Sequence, residues 1–152
     1  MAYVSAEARQ QLLDAIAAAT DEIGVALAAL GDAYEQLDEH SADRLEEELF
    51  RPVQAAYGRA KRTHAEFAER HGLPGRTFAA APPRAPSRGV KAVLDGAVQA
   101  VGEADGALAT LQDSMMPVEV GDAELRAGLA EVRTLLGDVA GRARRFVRVV
   151  GR

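Results

Sequence analysis

Large apolar residues recur along this chain at alternating steps of three and four, the spacing that gathers side chains on one face of an α-helix. The first run is Leu13, Ile16, Thr20, Ile23, Leu27, Leu30, Tyr34 and Leu37, a heptad seam interrupted only by Thr20. A second reads Phe50, Val53, Tyr57, Ala60, His64, Phe67, His71. The third is Val90, Leu94, Ala97, Val101, Ala104, Leu108, Leu111, Met115, and the fourth Leu125, Leu129, Val132, Leu136, Val139, Ala143, Phe146, Val150. Sustained period-two alternation is missing, so no sheet is expected.

Caps and breakers bound these runs. Ser5, Ser41, Ser87 and Asp122 are suitable N-caps, Gly72 with Pro74 is a helix stop, and Pro117 ends the third run. The spacing predicts helices over 5–39, 41–71, 87–115 and 122–150, joined by a Pro-rich loop over 72–86. Pro52 should kink the second helix or split off a short leading segment around Leu45 and Leu49. Short links at 39–41 and 116–121 make neighbours antiparallel. The expected fold is an all-α, up-down-up-down four-helix bundle, unless the long loop crosses it.

Composition narrows the class. A chain of 152 residues with 48% hydrophobic and 27% charged content suits one globular domain, 1–152. Without cysteine there is neither a disulfide framework nor a thiolate site. The start lacks a basic stretch followed by a long apolar run, and Ala15–Ala19, flanked by Asp14 and Asp21, is too short to span a bilayer. The expectation is a cytoplasmic protein with no membrane span. Aromatic content of 5% with no Trp disfavours a stacking platform for single-stranded nucleic acid.

The seams also speak to chemistry. Helical di-iron proteins place Glu and Glu-x-x-His ligands in the core. Here the seams hold no Glu or Asp, and Leu37, Lys61 and Ala68 stand three residues before His40, His64 and His71. No metal, cofactor or catalytic residue is predicted. His64 and His71, two helical turns or roughly 10 Å apart by helical rise, are too distant to share one ion. They stay as candidate functional histidines, although the simpler reading of His64 is a core residue satisfied by Asp14, Asp95 or a backbone carbonyl. Phosphotransfer from His64 is disfavoured, because Phe67, three residues on, stands where a lysine would be needed and Glu66 lies alongside. The pairs Gly102/Gly106 and Gly137/Gly141 read as points of close helix approach, at about 1 kcal/mol per glycine relative to Ala.

Charge is uneven. Folded up-down-up-down, the end holding 1–22, 56–96 and 136–152 carries 14 Lys+Arg against 8 Asp+Glu, net +6, and the other end carries 4 against 15, net −11. Helix dipoles favour the acids at Asp43, Glu46, Glu47 and Glu124 and the arginines near the C-terminus. They do not favour Asp32, Glu35, Asp38 and Glu39 at the end of the first helix. The candidate anion- or partner-binding residues are Arg84, Arg88, Arg142, Arg144, Arg145 and Arg148. The segment 142–152 mixes arginine with Phe146 and valines as a membrane-surface helix does, yet Phe146 and Val150 continue the core seam. Pro83 to Arg88 fits a polyproline-ligand pattern. Apolar residues outside the seams (Leu12, Val25, Leu49, Val93, Val98, Leu135, Val147, Val149) suggest a second buried face and a dimer.

The favoured function is a non-enzymatic interaction or scaffold module that holds a protein partner or itself. The alternatives are anion or nucleic-acid binding at the basic end, and histidine-based phosphotransfer or metal binding.

Overall fold

The computed structural model describes residues 2–79 and 89–150, with side chains from Ser5 onward. Among these the chain is all-helical and has no strand: α1 (Ala2–Gln36), α2 (Glu39–Leu45), a π-helical turn (Glu46–Phe50), α3 (Arg51–Arg70), α4 (Val90–Asp113), α5 (Met116–Glu119), α6 (Ala123–Leu136) and α7 (Val139–Val150). No helix among the described residues is long and apolar enough to cross a membrane.

The helix ends follow local chemistry. Asp38, not Ser41, caps α2: its carboxylate accepts the Ser41 N–H at 2.9 Å and the Ser41 hydroxyl at 3.1 Å. Asp38 and Glu39 therefore open α2 rather than end α1, where the dipole favours them. Hydrogen bonding from the Ser41 N–H, above all, lowers the Asp38 pKa. Asp122 caps α6 as expected, accepting the Leu125 N–H at 2.8 Å. Gly72, at a φ of 64°, closes α3 in the left-handed region open to glycine. The fourth run divides at Gly137 into α6 and α7.

Pro52 is absorbed without ending the helix. The Arg51 N–H reaches back five residues to the Glu46 carbonyl, which forms the π turn. Proline has no N–H for the Glu48 carbonyl four residues earlier; Arg142 Nη1 of α7 donates to that oxygen at 3.4 Å.

Most seam positions form the core, with Leu13, Ile16, Ile23, Leu30, Val53, Phe67, Leu94, Leu108, Leu125, Leu129, Val132 and Phe146 buried, while Leu27, Leu37, Tyr57, Val90 and Val150 are half-buried and Tyr34 and Met115 are exposed at helix ends. The apolar residues outside the seams lose their meaning as a second face. Leu12 and Leu49 are in the core, and Val25, Val93, Val98, Leu135 and Val147 pack against it, leaving Val149 exposed.

Cross-helix contacts correct the expected path. Arg59 meets Glu131 and Arg70 meets Asp122, so α3 and α6 run antiparallel. Arg133 meets Asp105, while Arg144 and Arg148 share a groove with Lys91 and Asp95, so α4 opposes the α6–α7 rod. At one end Arg9 of α1 donates to the Val120 carbonyl; at the other Gln36 and Leu37 lie beside Val90 and Val150. Thus α3 ends where α6 begins, and α4 begins where α1 ends. The connection between α3 and α4 is a crossover, and the up-down-up-down path becomes up-down-down-up. Its first part runs along α1, where Arg76 forms two hydrogen bonds to Asp21 at 2.8 and 3.0 Å. Around the molecule the packing order is α1, α3, α6–α7, α4 and back to α1.

The expected glycine approaches are also reassigned. Gly102 and Gly106 are exposed with open space at the Cβ position, and Gly137 and Gly141 meet only residues of their own stretch. The tight crossing is at Gly128, where an added Cβ would run into the Thr63 side chain of α3. Gly128→Ala should lower stability by about 1–3 kcal/mol in thermal or urea unfolding. Adding Thr63→Ala should recover part of the loss; equal losses in single and double variants would remove this contact from the account.

Candidate functional site

His64 lies on the inner face of α3 and is 2% exposed. Phe78 of the crossing segment covers it edge-on, with ring centroids 5.1 Å apart at 89°. The Arg76 guanidinium lies 4.5 Å over the Phe78 ring while bound to Asp21. Burial first, then Arg76, lowers the His64 pKa; Asp14 and Asp21, across on α1, pull weakly the other way. The ring is held neutral. The carboxylate partner expected for it is not found: Asp14 accepts from Gln10 and Asp95 from Lys91, and among the described residues His64 Nδ1 has no hydrogen-bond partner. The other buried polar groups serve their own helices, Thr20 bonding the Ile16 carbonyl and Thr63 the Arg59 carbonyl. Among the described residues no polar group hydrogen-bonds to His64 Nδ1.

His71, half-buried at the end of α3, belongs to a different cluster. Its Nε2 lies 2.9 Å from Asp122 Oδ2, Arg70 binds the same carboxylate through Nε and Nη2, and Arg70 Nη1 reaches Glu124 at 2.9 Å. Burial pushes the Asp122 pKa up, but hydrogen bonds from Arg70, the Leu125 N–H and His71 outweigh it and bring it down to about 2. This clasp ties the end of α3 to the start of α6. Among the described residues no group of three or more His, Asp or Glu is arranged to hold a metal.

The candidate arginines separate. Arg84 and Arg88, with the Pro83–Arg88 pattern, lie outside the described residues. Arg142 is spoken for by the Glu48 carbonyl. Arg144, Arg145 and Arg148 project from the outer ridge of α7 and make no ion pair among the described residues. The crossover moves this ridge to the same end as Asp32, Glu35, Glu39, Asp43, Glu46 and Glu47. The long-axis dipole of +6 against −11 rested on the other path and is withdrawn. Charge of both signs lies instead at one end: α7 touches the π turn through Arg142, Arg144 and Arg148 face the α4 groove, and Glu35 and Glu46 lie on the α1 side.

Sequence reasoning placed Tyr34 and Phe50 in the seams, and the structure does not bury them there. Tyr34 is 39% exposed, and with Gly31, Glu35, Glu46 and half-buried Phe50 it lines a notch of about 240 Å³ between α1 and the π turn. Gly31, which leaves open space beside Tyr34, and the surrounding acids were the available signal.

Neither a family model, nor a curated protein, nor a solved structure matches this chain.

Two titrations follow. Asp122 ionises below its ordinary 3.8, so its contribution is complete above pH 3.8 and is lost as pH falls through about 2. Linkage puts that contribution at about 2 kcal/mol. Asp122→Asn, which keeps a capping oxygen, should flatten the acid limb of the stability–pH curve; an unchanged limb would dismiss the clasp. His64 is depressed below 6.5, so its neutral form stabilises the fold fully above that pH and progressively less below it. His64→Leu should remove that slope below pH 6.5, measured by urea midpoints. A slope that persists would assign it to another group.

Proposed function

We propose that this chain is a non-enzymatic interaction module: a rigid four-helix bundle that engages a basic, apolar-bearing protein segment at the notch of Tyr34, Glu35, Glu46 and Phe50. The observation that carries this reading is the notch itself. It sets two partly exposed aromatic rings between carboxylates that make no ion pair among the described residues; Arg44, the nearby base, is taken by Glu48 at 3.3 Å. Guanidinium groups stack on aromatic faces and pair with carboxylates, so an arginine-bearing helix meets both demands in one place. Laying such a helix into a groove is a common recognition mode.

The alternative of anion or nucleic-acid binding through Arg144, Arg145 and Arg148 draws less support. Acidic residues share that end of the molecule and weaken its attraction for phosphate. Phosphotransfer through His64 draws less again, since Phe78 closes over the ring.

A synthetic amphipathic helical peptide with arginine at i and i+4 and leucine between, titrated by fluorescence anisotropy, checks the reading. Glu35→Lys with Glu46→Lys should weaken its binding by about tenfold or more, and raising salt from 50 to 500 mM should do likewise. Binding indifferent to both changes would sink the proposal.

A further inference from the structure

The reading of the notch leaves its partner unnamed, and the chain itself carries a surface with the required chemistry. On α7, Arg144, Arg145 and Arg148 form an exposed ridge with Val149, which is 57% exposed, one position further on. Arg144 and Arg148 stand four residues apart, one above the other on the helix. Their guanidinium groups have no ion-pair partner among the described residues. Facing demands are found on α1 and the π turn: Tyr34 and Phe50 for an apolar side chain and a stacked guanidinium, Glu35 and Glu46 for the charges. Asp32, Glu39, Asp43 and Glu47 add negative charge around them.

Within one molecule these two surfaces line different grooves, the ridge arginines beside α4 and the notch beside α1, although α7 touches the π turn through Arg142. Both lie at the same end, because Gln36 and Leu37 adjoin Val150. We propose that the notch receives the α7 ridge of a second copy of this chain, the charges of one edge answering those of the other. This rests on the notch being an interaction site. A contact between two different patches is heterologous, so copies add head to tail, into rows or into rings where the rotation closes, rather than stopping at a dimer. Asp95 lies in the groove beside the ridge but is held by Lys91 at 3.1 Å, which limits its repulsion of an incoming carboxylate.

Sedimentation velocity and light scattering on the full chain provide the test. Wild type at 50 mM salt should grow in average mass beyond the dimer across a 100-fold concentration range and revert to monomer at 500 mM salt. Arg144→Glu with Arg148→Glu abolishes the ridge and keeps the notch. Glu35→Lys with Glu46→Lys does the reverse. Each variant alone should stay monomeric, and a mixture of the two should form a 1:1 dimer that grows no further, since it contains one working junction. Circular dichroism checks that both remain helical; if either does not, Arg144→Gln with Arg148→Gln and the salt series on wild type carry the same test. Monomeric wild type at every concentration, a closed dimer untouched by the variants, or a mixture without heterodimer would overturn the proposal. If the synthetic peptide still binds the notch in that case, the interaction reading stands and its partner is not a second copy. If the peptide fails as well, both fall.

Discussion

The apolar flank of α1 is the constraint on which the structure turns. This 35-residue helix buries residues facing two directions, Leu12, Ala19 and Ala26 beside Leu13, Ile16 and Ile23, so it needs a helix on each of two sides. The neighbours that supply this cover, α3 and α4, both run against it. They are therefore parallel to each other, and the chain between them has to travel the length of the molecule. The crossover follows from how α1 is covered.

Once the crossover exists, several features acquire a reason. Its first residues lie along α1, and Phe78 seals His64 beneath them with Arg76 anchored on Asp21. A histidine with an unpartnered nitrogen persists there because burial favours its uncharged form, the form the apolar surroundings tolerate. At the far end of α3, the Arg70–His71–Asp122 clasp joins the start of α6 where both helix termini need polar partners. At the opposite end Arg142 supplies a donor to the carbonyl that Pro52 leaves without one. Cations that resemble a binding cluster in the linear sequence thus have different tasks, one structural and three facing solvent.

Charge takes its meaning from the same path. In sequence the acidic stretch 32–48 and the arginine-rich stretch 142–148 are a hundred residues apart. The crossover brings both to one end, where Arg142 touches the Glu48 carbonyl while Arg144 and Arg148 face α4 and the acids of the notch face α1. A field that would have been a long-axis dipole becomes a pair of oppositely charged grooves at one end. That arrangement suits lateral pairing of proteins better than long-range attraction of a polyanion.

Helix identity, the core residues and the Asp122 cap were legible in the sequence because they depend on neighbours within a turn or two, which spacing and residue type reveal directly. Leu125, Leu129, Val132 and Phe146 needed nothing beyond their three-four rhythm. Other features were decided only by tertiary packing. The end of α1 fell at Gln36 because Asp38 competed better than Ser41 as a cap. Gly128 proved to be the close crossing rather than Gly102 because the relevant surface belongs to α3, far away in sequence. Tyr34 and Phe50 kept to the rhythm yet reached the surface, since a seam near a helix end is buried only where a partner extends far enough to cover it. A connection of this length permits either a return beside α3 or a crossover at nearly equal entropic cost, so the direction of α4 was settled by which faces bury the most apolar surface.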